Sequence, residues 1–281
     1  MMLINPKRIV RAFALYFICF VGQSWANLTI VIQMKGMSGG HAILQVMPGS
    51  EVTFKQRNFA VDSEGFVAIG FGRDVAGLHE FEVMSPDGKT TIESVWIEAR
   101  EYRISRVNGV DQSRVNPPDS VTQRIIAEAK LVNDARSKQS ELTNWREEVF
   151  IAPATGRISG VYGSQRFYNG QPGSPHWGID FAAPTGTTII APAGGKVVLA
   201  EKDLYFSGGT IVIDHGGGLT SSFLHMSKLL VKNGQLVRQG EVIGLIGATG
   251  RVTGPHLDWR MNLHGERIDA GLWLPSTPTA D

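Results

Sequence analysis

The sequence predicts a mainly β protein with two domains joined by a helix. Three observations carry this reading. Short runs rich in Val, Ile, Phe and Thr alternate with Gly- and Pro-containing turns over most of the chain. Glycine supplies 33 of the 281 residues, as many tight strand connections require. A single stretch, residues 119–138, places apolar residues at helical spacing.

The first 26 residues have the layout of an export signal. Lys7, Arg8 and Arg11 form a basic start, and Ala12 to Val21 is an apolar run too short to span about 30 Å of hydrocarbon as a helix. Ser24-Trp25-Ala26 offers small residues around a cleavage point, so a mature chain from Asn27 is expected. An uncleaved membrane anchor is the alternative. Cys19 lies inside this segment, so the mature chain would hold no thiol. Any metal must then be held by His and carboxylates. Without Lys7, Arg8 and Arg11, 24 basic residues face 26 acidic ones, a net charge of −2. No basic stripe argues for nucleic acid, and the membrane is needed for export alone.

Residues 27–112 predict a small β-sandwich of immunoglobulin-like type. Strands are expected at Leu28 to Met34, His41 to Met47, Val52 to Phe54, Val67 to Phe71, His79 to Met84, Thr91 to Ile97 and Tyr102 to Val107. Ser85-Pro86-Asp87-Gly88 is a turn signal between two of them. Residues 113–149 form a connector. Asn116-Pro117-Pro118 breaks the strand pattern, and Ser120 with Gln123 has the spacing of a capping box. Val121, Ile125, Ala129 and Val132 then form an apolar stripe that predicts a helix docked on one of the domains.

Residues 150–274 read as a Gly-rich antiparallel β domain. Strands are expected at Lys196 to Ala200, Thr210 to Asp214, Leu219 to His225, Glu241 to Ile246 and His256 to Met261, with residues 275–281 as a loose tail. The last strand is the most informative. Its alternation sends Leu257, Trp259 and Met261 to one face and His256, Asp258 and Arg260 to the other. A second polar pair lies in His176-Trp177-Gly178-Ile179-Asp180. Two His and two Asp brought to one site suggest zinc chemistry. Arg260 either pairs with Asp258 or binds a substrate carboxylate. Arg166 and Asn169 are candidates for hydrogen bonds to substrate. His215 reads as a turn residue before Gly216-Gly217-Gly218, and His41, His79 and His264 carry no expected chemistry.

Two other matches fail on context. Gly36-Met37-Ser38-Gly39-Gly40 satisfies Gly-x-Ser-x-Gly, yet a strand follows where a nucleophile elbow needs a helix. Gly88-Lys89-Thr90 lacks the first Gly of a phosphate loop, since Val83 stands there.

His176-Trp177-Gly178-Ile179-Asp180, Ala191 to Val198, Phe223-Leu224-His225-Met226-Ser227 and Gly247 to Leu257 occur in the order that the lysostaphin/LytM-type zinc endopeptidases show. Gly156 to Gly163, followed by Ser164-Gln165-Arg166, resembles the opening strand of that family. The resemblance covers residues 150–274. It implies that His176 and Asp180 ligate zinc, that His256 is the general base, and that His225 helps stabilise an oxyanion. The third ligand of the family is the second His of a His-x-His motif, and here that position is Asp258. Asp oxygen can ligate zinc, but a second carboxylate lowers the net positive charge of the site. The resemblance implies hydrolysis of peptidoglycan peptide cross-links in the periplasm or elsewhere outside the cytoplasm. The alternative it leaves open is a degenerate relative without metal that binds wall or activates another wall hydrolase.

Overall fold

The structure is a computed structural model and describes residues 29–107 and 119–276. The export signal, the Asn116-Pro117-Pro118 break and residues 277–281 of the tail lie outside the described residues. The N-terminal strands are β1 (Ile30–Lys35), β2 (His41–Gln45), β3 (Glu51–Phe54), β4 (Arg57–Phe59), β5 (Phe66–Gly70), β6 (Gly77–Met84) and β7 (Thr90–Ile97). They form two sheets, in the orders β1-β2-β5 and β4-β3-β6-β7. Leu44 and Ile69 of the first sheet share one core with Val52, Phe54, Phe81 and Val95 of the second. The alternation along β6 does this directly, because Phe81 and Val83 are buried while Glu80, Glu82 and Met84 face outward. Between β6 and β7 the expected turn closes at Gly88, with φ of 81°, and the Ser85 hydroxyl donates to Asp87.

One sandwich strand is not where the sequence suggested. β8 (Ile104–Val107) pairs in parallel with β10 (Gln165–Tyr168) of the C-terminal region, after β9 (Arg157–Gly160). The sandwich gains instead an unexpected strand, β4, paired with β3 through a turn that has Lys55 and Gln56 at positive φ. Tyr102 explains the departure of β8. Its ring packs on Tyr162 and beneath the Arg73 guanidinium, which donates to the Gly163 carbonyl. A Cβ at Gly163 would fall 2.0 Å from the Tyr102 ring. Alternation marks a strand but not the sheet it joins.

The connector folds as a 3₁₀ turn, Asp119–Val121, then α1 (Thr122–Arg136). The expected capping box is absent. Val121 occupies the N-cap and no side chain caps it, because the 3₁₀ turn takes up Ser120. The inward stripe is also shifted: Ala129 is exposed, while Glu128 turns inward and accepts from the Tyr205 amide at 2.7 Å. Val132 and Ala135 pack on Val198, Leu199 and Val212, so the helix docks on the C-terminal domain. A one-turn helix, α2 (Asn144–Glu147), buries Trp145 and aims Arg146 at Asp62 and Glu64 of the sandwich.

The remaining strands are β11 (Gln171–Pro172), β12 (Gly178–Ala182), β13 (Thr188–Ile190), β14 (Gly195–Leu204), β15 (Gly208–Gly216), β16 (Leu219–Leu229), β17 (Leu236–Val237), β18 (Val242–Ile246), β19 (His256–Leu263) and β20 (Glu266–Ile268). The main sheet runs β17-β14-β15-β16-β19-β12-β9, with β20 beside β19 and with β18 joining β16 to β13. All its pairings are antiparallel. Leu257, Trp259, Met261 and Leu263 are wholly buried and share a core with Ile179, Phe181, Ile211 and Phe223. The opposite face of β19 is therefore free to carry polar groups. Val212 lies opposite Ser222, and Ser222 opposite Arg260, so α1 covers part of the face on which Arg260 stands.

The two regions are pinned together. His41 stacks on Trp273 at 4.1 Å, and Arg100 pairs with Asp269 at 2.8 Å. The Gly-x-Ser-x-Gly stretch belongs to this contact. Ser38 is buried and donates to the Val75 carbonyl, and the Gly39 carbonyl accepts from the Asp269 amide.

Candidate metal centre

Strand register builds the site. β12 and β19 run antiparallel with Asp180 opposite Asp258, Ala182 opposite His256, and Gly178 opposite Arg260. Two carboxylates directly opposite on one face repel each other, so this arrangement calls for a cation between them. His176, just before β12, has its amide and carbonyl tied to the Ser164 carbonyl and the Gly163 amide. Its ring turns back so that Nε2 lies 3.2 Å from Asp180 Oδ1. Ligand atoms of His176, Asp180 and Asp258 all lie within 4.8 Å of one another.

The residues fit a zinc ion. His176 Nε2 and Asp180 Oδ1 are buried and find no hydrogen-bond partner, although they are only 3.2 Å apart. Two ligands about 2 Å from a shared tetrahedral ion stand at about this separation without bonding each other. Two glycines clear the space. A Cβ at Gly160, opposite Asp180 on β9, would fall 2.2 Å from Asp180 Oδ2 and 3.1 Å from His176 Nε2. One at Gly178 would fall 2.3 Å from Asp258 Oδ1.

Asp258 is 2 % exposed and is gripped by Arg260, whose Nε donates to Oδ1 at 3.0 Å and to Oδ2 at 2.9 Å. Burial opposes its ionisation, but Arg260 and His176 outweigh burial and hold it well below the usual carboxylate range. Of the two expectations for Arg260, pairing with Asp258 is the one the structure shows. The pairing also changes the charge argument. Asp180, Asp258 and Arg260 together carry −1, the same as a ligand set of two His and one Asp. Arg260 thus offsets the extra carboxylate. Replacing it with glutamine (Arg260→Gln) is expected to leave zinc bound and to lower kcat ~10–100-fold, as for other lost partners of metal ligands. Zinc analysis beside steady-state kinetics checks this.

Two further histidines face the centre. His256 Nδ1 is 2.9 Å from the Gly254 carbonyl, and His225 Nδ1 is 3.0 Å from the Thr249 carbonyl. A carbonyl only accepts, so each Nδ1 carries the proton and each Nε2 has a lone pair when the ring is neutral. His256 Nε2 lies 3.8 Å from Asp180 Oδ1. The His225 ring centroid is 4.9 Å from that of His256. β16 leaves β19 at Leu224 and takes up β18 at Met226. His225 sits in this break with φ of 66°, a left-handed conformation in which its backbone N–H donates to the Ser207 carbonyl at 2.8 Å. Burial lowers the His225 pKa, against a smaller opposing pull from Asp258.

His176, Asp180, His225, His256, Asp258 and Arg260 are thus brought together. Asn169 stands at the exposed turn between β10 and β11 with φ of 49°. Arg166 lies on β10, and its side chain is outside the described residues. Gly160, Gly178 and Thr249 were not singled out from sequence. Their contributions, an absent Cβ or a backbone carbonyl, leave no pattern there.

His215 is corrected: it is a core residue within β15 and not a turn residue. It is wholly buried, with Nδ1 2.7 Å from the Gly194 carbonyl and Nε2 2.7 Å from Ser221 Oγ. Burial lowers its pKa to about 4. The unfolded chain takes up this proton near 6.5 and the native one only near 4, so stability falls as pH drops through that window. The loss should approach about 3 kcal/mol at the lower end. Urea unfolding between pH 7 and 4.5 is expected to show a shallower pH slope in His215→Gln than in wild type.

Residues 174–270 match the model of peptidase family M23. This segment is an M23 peptidase domain. The chain is similar to the peptidoglycan DD-endopeptidase ShyB of Vibrio cholerae, with 44% identity over 96 residues, which are 34% of this chain and 22% of that protein. It is also similar to an uncharacterised metalloprotease of Haemophilus influenzae, with 43% identity over 129 residues, 44% of this chain and 23% of the other. The chain thus spans about a fifth of the length of these relatives. A solved Pseudomonas aeruginosa chain assigned to peptidase M23 superposes with a TM-score of 0.66 at 29% identity, covering 87% of this chain and 96% of that one. That likeness reaches beyond the M23 domain to the N-terminal sheets and the connecting helix. His176, Asp180, His225, His256 and Asp258 all lie within the M23 domain.

Proposed function

We propose that the protein is a zinc endopeptidase that hydrolyses peptide cross-links of peptidoglycan outside the cytoplasm. The observation that carries this reading is the facing pair Asp180 and Asp258, with the buried His176 Nε2 turned onto Asp180 and two histidines alongside. His176, Asp180 and Asp258 would hold the zinc. When bound, zinc polarises the scissile carbonyl and acidifies the attacking water.

The chain's own groups supply the rest. His256 has Nδ1–H committed to Gly254, so Nε2 is the acceptor that takes a proton from the water and returns it to the leaving amine. His225 is assigned the developing oxyanion. That role needs a proton on Nε2, a form that burial disfavours and the charge of Asp258 favours. The opposed apolar face of β19 makes this wall rigid. Arg166 and Asn169 are proposed substrate contacts on the β10–β11 arm, and the first 26 residues are proposed to direct export, with the periplasm as destination.

A second reading has one specific observation behind it. The Arg260 grip on Asp258 is also what a metal-free wall-binding relative would show. Digestion of purified peptidoglycan separates the two. Wild-type protein with about one zinc per chain should convert cross-linked muropeptide dimers to monomers. A wild type that holds no zinc and cuts nothing, while Asp258→His gains both, would establish the metal-free reading instead.

A further inference from the structure

The polar face of β19 does not end at the metal centre. Past Arg260 it continues to Asn262, and there a cavity of about 580 Å³ opens between the end of α1, the sandwich strand β4 and the β19–β20 hairpin. Three guanidinium groups line it: Arg57, which donates to the His264 carbonyl, and two deeper ones, Arg136 and Arg267, that lack a counter-charge. Arg136, from the last turn of α1, is held by one hydrogen bond, from Nε to Ser222 Oγ at 3.2 Å. Burial lowers its pKa to about 9, and Arg267 and Arg260 add repulsion. Arg267, on β20, lies over the Trp177 ring at 5.3 Å, and its buried Nη1 finds no acceptor. Among the described residues, neither has a carboxylate oxygen within 4.0 Å. The carboxylate that both sense, Asp258, is already taken by Arg260.

Neutral polar groups complete the cluster. Asn262 is 3 % exposed, lines the cavity, and its Oδ1 has no partner. Thr220, directly opposite, has a buried hydroxyl that also lacks one. Buried cations without anions are costly, and two guanidiniums are complementary to a planar anion, while the Asn262 oxygen, which only accepts, suits an N–H beside that anion.

We propose that Arg136 and Arg267 bind a carboxylate group of the peptide substrate, with Asn262 Oδ1 accepting from a neighbouring peptide N–H. This rests on the endopeptidase reading above. Asn262 is four residues beyond Asp258, about 13 Å along the strand, so the cavity stands within the span of about four extended peptide residues from the metal centre. Two of the three residues come from β19 and β20, and the third comes from the connecting helix. The helix therefore takes part in choosing the substrate.

The test is calorimetry on the zinc-loaded protein with three probes: acetyl-tetraalanine with a free carboxylate, the same peptide as its C-terminal amide, and inorganic phosphate. Wild type is expected to bind the carboxylate form at least about tenfold more tightly than the amide, the scale of one charge-assisted bidentate pair. In Arg267→Gln that preference should fall to about twofold or less, and Arg267→Lys should restore part of it. Arg136→Gln should behave as Arg267→Gln does. If its buried helix does not tolerate the change, the Arg267 pair of variants decides alone. Equal binding of acid and amide by wild type overturns the proposal, as does a preference that survives in Arg267→Gln. Phosphate bound more tightly than the peptide acid also overturns it. A carboxylate preference in a protein that cuts no peptidoglycan would defeat the endopeptidase reading and leave this site standing. Cleavage without the preference would do the reverse.

Discussion

Replacing His256 by alanine is expected to lower kcat for peptidoglycan peptides by about 10²–10⁴, the usual contribution of a positioned general base. Zinc content should not change, because His256 is not one of the three residues grouped as ligands. The pairing of results is what makes the experiment informative. His256 stands opposite Ala182 with Nδ1 fixed by Gly254, so its removal takes away the proton acceptor and leaves the carboxylate pair in register. A loss of zinc along with activity would show that the ring is a ligand, and the assignment of base and ligand would have to be exchanged.

The second large effect is expected at a residue with no side chain. Gly160→Val places carbon where Asp180 Oδ2 now lies 2.2 Å away and His176 Nε2 3.1 Å away. The neighbours are the ligand atoms themselves, so any relief displaces one of them. Zinc affinity should drop by about 100-fold or more and hydrolysis with it, at the upper end of what lost support of a ligand costs. The fold should persist, since β9 is the edge strand of the sheet and the core lies elsewhere. Zinc titration beside circular dichroism reads both quantities.

Much of the centre was legible in the sequence because its chemistry is carried by side chains at short spacing. His176 and Asp180 share one short segment, and His256, Asp258 and Arg260 alternate along one strand. The apolar residues Leu257, Trp259 and Met261 fixed which face they occupy. What was not legible has physical reasons. β4 was missed because its two-residue turn is Lys55-Gln56, where positive φ is ordinarily signalled by Gly or Asn. β8 was read as a strand, but its partner was decided by Tyr102 meeting a glycine 61 positions later, beyond any local pattern. His215 looked like a turn residue because three glycines follow it, while its two hydrogen bonds come from Gly194 and Ser221. The Arg136–Arg267 cluster joins a helix to a hairpin more than a hundred residues away, and only the fold brings them together.

The departure at position 258 is the point on which the functional account turns. An aspartate in place of a histidine would lower the positive charge left on a bound zinc if it stood alone. With Arg260 forked onto it, the pair presents an oxygen ligand of net zero charge, and the site keeps the charge of a His-Asp-His set. This explains how the two carboxylates can face each other across β12 and β19 with a dication between them.

The most direct measurement is zinc-edge X-ray absorption on the wild-type protein and on Asp258→His. The account predicts one imidazole in the wild-type shell, that of His176, with oxygen from Asp180 and Asp258 completing the protein ligands. It predicts a second imidazole in the variant. A wild-type shell with two imidazoles, or a shell that does not change on substitution, would contradict it by removing Asp258 from the coordination of the metal.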